Sequence, residues 1–312
     1  MEEQGILRYV MKYYLAIDIG ASSGRHILSY VEDGKLKLEE VYRFENGMEE
    51  KDGHLTWNYK KLFRNILDGL KECKKLGKIP SSVGIDTWGV DYALLDKNDE
   101  VIGDVFAYRD SRTEEPIKKL HSIIPFEKLY ERTGSQFQIY NTIYQLFTDK
   151  LSGKLDKAER FLMMPDFFGF LLTGVKKNEF TNASTTGLLS AKTREWDMDT
   201  VRELGLPEKL FKELSQPATL VGEVKPEIAE EIGYTTKIVL TATHDTASAV
   251  MAVPETGCPL YISSGTWSLL GIESPVAIAT KEALDANFTN EGGYNRSTRF
   301  LKNIMGLWMI QS

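Results

Sequence analysis

The feature that most constrains this fold is an apolar strand that carries an aspartate into a loop of small residues and then returns to strand-like sequence. It is the stretch Tyr14-Leu-Ala-Ile-Asp-Ile-Gly-Ala-Ser-Ser-Gly-Arg25. In a P-loop or a dinucleotide-binding fingerprint, such glycines lead into a helix. Here the segment 27–31 is rich in β-formers, and Asp33-Gly34 follows as a turn. The pattern predicts a phosphate-binding hairpin at the tip of an antiparallel meander.

A second stretch, Leu260 to Gly271, repeats this design of apolar strand, loop of Ser, Gly and Thr, and apolar strand. Shortly before it, residues 237–242 predict a buried strand that leads through Thr243-His-Asp-Thr246 into a helix of small residues. One hairpin can hold one side of a triphosphate, whereas two facing hairpins can hold it across a cleft. The repeat therefore predicts two lobes with a phosphate-binding cleft between them.

The sequence between the two hairpins predicts one long helix, short strands and a helical region. Apolar residues recur at helical spacing over 59–75, and short apolar runs at 83–86 and 90–96 predict strands. Helix start and stop signals recur over 125–233. We expect this region to cover a sheet rather than to form a domain of its own.

Length and composition narrow the class of protein. A chain of 312 residues predicts about two domains, and a net charge of −7 without a basic segment argues against nucleic acid as a partner. No run of about 18 apolar residues or leader segment indicates a membrane, so we expect a cytoplasmic protein. Cys73 and Cys258 are far apart and the histidines are scattered. Any metal should therefore have oxygen ligands.

Seven short motifs are distributed along nearly the whole chain. They are Asp18-Ile-Gly-Ala-Ser-Ser-Gly-Arg25, Gly84-Ile-Asp-Thr-Trp-Gly-Val-Asp91, Tyr108-Arg-Asp-Ser-Arg112, Thr243-His-Asp-Thr-Ala-Ser-Ala249, Ser263-Ser-Gly-Thr-Trp-Ser-Leu269, Asn290-Glu-Gly-Gly293 and Lys302-Asn-Ile-Met-Gly-Leu-Trp308. Together they resemble the FGGY family of carbohydrate kinases, and within it the branch that phosphorylates the ketose L-rhamnulose at its 1-hydroxyl.

The resemblance implies an α/β fold of the actin-like ATPase, ribonuclease H-like class, as in two-lobe sugar kinases. It places an N-terminal lobe that binds sugar and phosphate over residues 12–244, and the start of an ATP-binding C-terminal lobe over residues 245–312. Members of this branch are considerably longer than 312 residues. We therefore expect a C-terminally truncated chain with an incomplete second lobe.

Phosphoryl transfer to an alcohol requires an acceptor hydroxyl in line with the phosphate and a group that accepts its proton. Asp245 is the predicted base because it follows an apolar strand and opens a helix; the alternative is that it merely caps that helix. The resemblance assigns sugar contacts to His244, Thr246 and the backbone of Gly89. Asp91 stays outside this set, as does Arg109, because a salt bridge within the protein explains both equally well.

For ATP, we expect phosphate contacts from the first loop, namely Ala21, Ser22, Ser23, Gly24 and Arg25. The second hairpin would add Thr266, and the resemblance places Asn303 and Gln311 near the nucleotide. Asp18 suits a Mg²⁺ ion reached through water, because Mg²⁺ retains much of its hydration shell. A purely structural role for Asp18 is the alternative.

The predicted function is ATP-dependent phosphorylation of L-rhamnulose to L-rhamnulose 1-phosphate in L-rhamnose catabolism. One alternative is another kinase of the same family, for example one that acts on L-fuculose. A second is an inactive sugar- or nucleotide-binding protein that associates with itself through its incomplete second lobe, where apolar residues such as Leu301 and Trp308 lack cover. A third, a metal phosphohydrolase built on His244 and Asp245, is disfavoured by the shortage of other histidines.

Overall fold

The computed structural model describes residues 11–254, 257–264 and 267–306. Its strands are β1 (Tyr13–Ile19), β2 (Ser23–Glu32), β3 (Lys35–Glu45), β4 (Glu49–Lys51), β5 (His54–Trp57), β6 (Pro80–Thr87), β7 (Tyr92–Leu95), β8 (Val105–Phe106), β9 (Arg160–Met163), β10 (Leu220–Glu223), β11 (Lys237–Val239), β12 (Tyr261–Ser264), β13 (Trp267–Ser274), β14 (Thr289–Gly292) and β15 (Thr298–Met305).

The α-helices are α1 (Tyr59–Lys75), α2 (Glu114–Ile123), α3 (Phe126–Thr133), α4 (Thr142–Leu151), α5 (Met164–Thr173), α6 (Phe180–Ala183), α7 (Met198–Glu203), α8 (Pro226–Ile232), α9 (Asp245–Met251) and α10 (Lys281–Asp285). Short 3₁₀ helices lie at Ser111–Thr113, Lys154–Lys157, Ser184–Thr186, Glu208–Leu210 and Tyr294–Arg296.

The main sheet contains six strands in the order β10-β11-β6-β1-β2-β3. β1 pairs antiparallel with β2 and parallel with β6, so the first small-residue loop connects two strands and does not open a helix. Asp33 and Gly34 join β2 to β3 with φ angles of 50° and 72°, the two positive values that a tight two-residue hairpin turn requires. The predicted hairpin and meander are both present.

Helix α1 has the bounds that the apolar spacing predicts, and it packs on the main sheet. Its first turn is capped by the Asn58 side chain, which accepts a hydrogen bond from the Lys61 N–H at 3.1 Å. Gly69 lies against the buried His26 ring of β2, where a Cβ would meet the ring at 2.3 Å. This close approach buries His26 completely, and burial lowers its pKa to about 4.

The helical middle of the chain differs from the expectation of a simple cover. α5 does pack against β6, β10 and β11 of the main sheet. The helices α2, α3, α4 and α7 instead surround a second apolar core, together with the two-stranded sheet of β7 and β9. The reason is visible in α4, whose consecutive residues 142–147 are all buried. A helix buried on every side needs partners all round rather than one sheet beneath it.

A second, wholly antiparallel sheet has the order β12-β13-β15-β14. β12 and β13 form the predicted second hairpin, with Tyr261 opposite Gly271 and Ser264 opposite Ser268. Two residues of its loop, Gly265 and Thr266, lie outside the described part of the chain. Within the described ranges, no helix is both long and apolar enough to span a lipid bilayer.

Candidate active site

A cavity of about 730 Å³ is lined by residues from both sheets and from the helical middle of the chain. It brings together most of the residues that the sequence singled out: Asp18, Ala21, Ser22, Ser23, Arg25, Gly89, His244, Asp245, Thr246 and Asn303. Ser263 and Ser264 of the second hairpin line the same cavity. Of the remaining predictions, Gly24 is not part of the lining, and Thr266 and Gln311 lie outside the described residues.

The tip of the first hairpin, residues 20–23, lines this cavity. The Gly20 N–H donates to the Ser23 carbonyl at 2.9 Å, and Asn46 holds the loop by donating to the carbonyls of Gly20 and Ser22. Within the described residues, the N–H groups of Ala21 and Ser22 donate no hydrogen bond. Successive N–H groups of this kind form an anion-binding concavity. The loop is therefore suited to phosphate oxygens.

Gly24 contributes to this hairpin by packing, not by lining the cavity. It pairs with Ile19 on one side and Phe44 on the other, and a Cβ at Gly24 would lie 2.1 Å from the Phe44 ring. The next residue, Arg25, does line the cavity, and its Nε is 3.3 Å from the Asp18 Oδ2. Arg25 thus places a positive charge beside the loop.

Asp18 and Asp86 occupy matching positions on the adjacent parallel strands β1 and β6. Burial raises the pKa of Asp18, although the Arg25 charge opposes the effect. Burial raises the pKa of Asp86 well above its ordinary value, and the charges of Asp18 and Asp245 raise it further. Three carboxyl groups therefore face one region of the cavity. The sequence analysis did not select Asp86, although it lies in a motif and its position opposite Asp18 is a usable signal.

A buried glutamate holds the loop that ends in Asp245. The Glu179 carboxylate is fully buried and accepts hydrogen bonds from the Thr243 N–H at 3.2 Å and from its hydroxyl at 2.6 Å. Asp245 begins α9, and its Oδ1 accepts from the N–H and the hydroxyl of Thr246 at 2.6 and 3.0 Å. Its side chain is 35% exposed. Asp245 thus bonds to its own helix and still faces the cavity.

His244 is in contact with both sheets. Its Nε2 lies 3.5 Å from the Asp245 Oδ1 and 3.4 Å from the Thr246 hydroxyl. Its Nδ1 lies 2.9 Å from Nη2 of Arg299 and 3.4 Å from Oε2 of Glu291. Glu291 and Arg299 belong to β14 and β15, and the sequence analysis missed both as site residues. Glu291 lies in the motif Asn290-Glu-Gly-Gly293, which was a usable signal. Arg299 lies in none of the motifs, and only folding brings its strand to the imidazole.

The backbone at Gly89 is held in a strained turn. The Asp91 N–H donates to the Gly89 carbonyl at 3.0 Å across Val90, whose φ is 68°. A γ-turn with positive φ is rare, and it is costly for a β-branched residue. The hydroxyl of Thr185 accepts from the Val90 N–H at 2.9 Å, and a Cβ on Gly89 would lie 2.8 Å from the Thr185 side chain. Only glycine fits at position 89.

Asp91 is the last residue of this turn, and it does not line the cavity. Its fully buried carboxylate accepts hydrogen bonds from the indoles of Trp57 and Trp88 at 2.6 and 2.9 Å, and from Gln145 at 3.0 Å. Burial raises its pKa to about 6. The partners of Asp91 are thus neutral donors rather than a salt bridge. Arg109 is the other residue that the sequence analysis left outside the predicted sugar contacts. It lies over the Tyr108 ring.

The carboxylates of the cavity fit a hard divalent cation that keeps most of its water. Within the ranges that the structure describes, no group of three or more His, Cys, Asp or Glu side chains is arranged to hold a metal ion by itself. Mg²⁺ is usually bound by one or two carboxylates together with phosphate oxygens and water. Asp18 and Asp86 meet that description, since they are adjacent, oxygen-only and close to the hairpin tip.

Comparisons with known proteins agree with the fold. The model of the N-terminal domain of the FGGY family of carbohydrate kinases matches residues 13–252. A rhamnulokinase from Oceanobacillus iheyensis is 50% identical over 299 residues, which are 95% of this chain and 64% of the relative. A rhamnulokinase from Halalkalibacterium halodurans is 50% identical over 303 residues, 96% of this chain and 65% of the relative.

A crystal structure of gluconate kinase from Lactobacillus acidophilus has a TM-score of 0.81 to this chain at 19% identity. The matched region is 96% of this chain and 61% of the gluconate kinase chain. The likeness confirms the predicted fold class, the mixed α/β fold of sugar kinases of the actin-like ATPase type. The chain spans less than two thirds of the length of each of these three proteins.

Proposed function

This chain belongs to the FGGY family of carbohydrate kinases, and we propose that it transfers the γ-phosphoryl group of ATP to the 1-hydroxyl of L-rhamnulose. The observation that carries the proposal is a shared cavity. The same cavity is lined by the carboxylate of Asp245 and by a hairpin tip in which two N–H groups donate no hydrogen bond to the described part of the chain. The two rhamnulokinases that are 50% identical to this chain support the choice of sugar.

In this proposal, Asp245 is the general base and the residues around it bind the ketose. Gly89, His244 and Thr246 contact the sugar hydroxyls, and they orient the 1-hydroxyl towards Asp245. The proton of that hydroxyl passes to the Asp245 carboxylate while its oxygen forms a bond to the γ-phosphorus. The bond between the γ-phosphorus and the bridging oxygen breaks, and ADP leaves.

The remaining residues would hold the nucleotide and its cation. Ala21, Ser22 and Ser23 would bind phosphate oxygens through their backbone, and Arg25 and Asn303 would add side-chain contacts. Asp18 and Asp86 would hold Mg²⁺, which when bound neutralises charge on the phosphates. Thr266 and Gln311, which lie outside the described residues, remain proposed nucleotide contacts. The hairpin of β12 and β13 adds Ser263 and Ser264 to the lining of the same cavity.

The substrate assignment is tested by measuring ADP release with L-rhamnulose, L-fuculose, D-ribulose and glycerol, together with calorimetric binding of each sugar. We expect the highest kcat/KM with L-rhamnulose. A preference for another of the four sugars contradicts the assignment and favours a different kinase of the same family. Sugar binding without ADP release, together with a mass that rises with concentration, would support the inactive self-associating alternative instead.

The role of Asp245 is tested by Asp245→Asn. We expect kcat to fall by about 10²- to 10⁴-fold, which is the usual contribution of a general base, while the affinity for sugar changes little. The matched control is Asp285→Asn, the same chemical change at an exposed carboxylate on α10, which should leave kcat unchanged. An Asp245→Asn enzyme with near-normal kcat would contradict the assignment.

A further inference from the structure

Arg299 lies on β15 in the second sheet, yet its guanidinium reaches His244 of the proposed sugar site. The side chain is fully buried. Its Nε donates to the Gly292 carbonyl at 2.9 Å, and its Nη2 is 2.9 Å from both the Glu291 Oε2 and the His244 Nδ1. Three directional contacts therefore fix the guanidinium beside the imidazole.

This contact determines which imidazole nitrogen carries the proton. A guanidinium has only donors, so a hydrogen bond to Nδ1 requires that Nδ1 accept. The proton of a neutral ring then lies on Nε2. That nitrogen lies on the side of Asp245 and Thr246, at 3.5 and 3.4 Å.

Glu291 is the one competitor for Nδ1 among the described contacts of His244. Its Oε2 lies 3.4 Å from Nδ1, farther than the Arg299 nitrogen, and it already accepts a hydrogen bond from that guanidinium. Burial would raise the pKa of Glu291, but opposing effects, of which the charge of Arg299 is the largest, lower the pKa to about 2. The carboxylate balances the charge of Arg299 and keeps the guanidinium in place.

We infer that Arg299 and Glu291 form a positioning pair that holds His244 as the Nε2–H tautomer, so that the imidazole donates a hydrogen bond to a substrate oxygen beside Asp245. The inference deepens the proposed function and rests on it for the identity of that substrate oxygen. The tautomer itself does not depend on the function. A residue that only joined β14 to β15 would have no effect on the protonation of the ring.

The test is the tautomer of His244, read from two-bond ¹H–¹⁵N correlation spectra of protein labelled with ¹⁵N-histidine. Only four histidines contribute signals, and a His244→Asn sample assigns the one in question. We expect an unprotonated Nδ1 and a protonated Nε2 in the neutral ring. A wild-type ring with the proton on Nδ1 overturns the inference without any variant.

Variants then separate a positioning role from a structural one. Arg299→Met removes the donor, so the Nδ1–H tautomer bonded to Glu291 should become populated, and Arg299→Lys should restore the Nε2–H form. Arg112→Met is the matched control, because Arg112 is another buried guanidinium paired with a carboxylate, Asp149, at 2.6 Å. It should leave the His244 signals unchanged. An unchanged tautomer in folded Arg299→Met overturns the inference.

Ligand affinity gives a second readout. We expect Arg299→Met to weaken calorimetric binding of L-rhamnulose by roughly 5- to 10-fold, the effect of about one hydrogen bond, and to leave ATP binding unchanged. Equal losses for sugar and ATP would indicate a general structural defect and overturn the inference. A parent protein that shows the Nε2–H form but binds none of the four sugars would refute the proposed function and leave the tautomer assignment standing.

Discussion

At the scale of single residues, burial of carboxyl groups without a matching cation is the main electrostatic feature around the cavity. Asp91 and Glu179 are both fully buried, and burial raises the pKa of each. Both are held by hydrogen bonds from neutral groups, and both act on loops that line the cavity. Each carboxyl group therefore holds a loop in place, and the free energy that burying it costs depends on pH.

Asp91→Asn tests this cost. With a folded pKa of about 6 against an ordinary 3.8, the folded state keeps a proton that the unfolded state loses as the pH rises through this range. The contribution of Asp91 to stability therefore falls with rising pH, by about 3 kcal/mol in total. In urea unfolding, the free energy of unfolding of the variant should therefore rise relative to that of the parent by roughly that amount between about pH 4 and pH 7.

The control for this experiment is Asp52→Asn, at an exposed turn residue, whose difference from the parent should not change over the same range. A difference between Asp91→Asn and the parent that stays constant with pH would contradict the prediction.

At the scale of elements, the turn over Gly89, Val90 and Asp91 carries measurable strain. A positive φ costs a β-branched or alanine residue more than glycine, by about 1–2 kcal/mol. We therefore expect Val90→Gly to be more stable than Val90→Ala in urea unfolding. At Val31, an exposed strand residue without positive φ, the order should be reversed. Equal or greater stability of Val90→Ala would show that the turn is not strained.

The hairpin provides a second test at this scale. Gly24→Ala places a methyl group where the Phe44 ring lies, so it should destabilise the protein by about 1–3 kcal/mol, as overpacking does. Phe44→Leu shortens that side chain and should recover part of the loss. A double-mutant cycle by urea unfolding measures the coupling. Strictly additive effects would mean that the two positions do not interact.

Local elements were predictable from sequence because their signals are local. The bounds of α1 follow from apolar spacing, and the hairpin of β1 and β2 follows from small residues between two β-rich segments. Contacts between distant segments were not predictable. Arg299 reaches His244 from 55 residues away, and the second core arises because α4 is buried on all sides. A single sequence carries no pairwise signal for such contacts.

At the scale of the whole molecule, two buried groups give opposite responses to pH. Burial lowers the pKa of His26 to about 4, so the unfolded state binds a proton that the folded state refuses as the pH falls below about 6.5. The contribution of His26 is therefore lost on acidification, by about 3 kcal/mol in total. Buried carboxyl groups such as Asp91 respond in the other direction over much the same range, so the two effects oppose each other.

His26→Gln should separate these contributions. Relative to the parent, the variant should gain stability by about 3 kcal/mol as the pH falls from about 6.5 to about 4, measured by urea unfolding. His26→Asn is the matched control, because it also removes the titrating group and should show the same dependence on pH. A difference between His26→Gln and the parent that stays constant with pH would contradict the burial argument.

The contact between Arg299 and His244 has a consequence for synthesis of the chain on the ribosome. The main sheet is complete once β11 has emerged, but the guanidinium belongs to β15, which is translated much later. Domains generally fold from the N-terminus during translation. Nascent chains arrested before residue 289 should therefore already contain a folded main sheet while the imidazole still lacks its guanidinium partner. Any binding that depends on this contact would appear only after β15 has been translated.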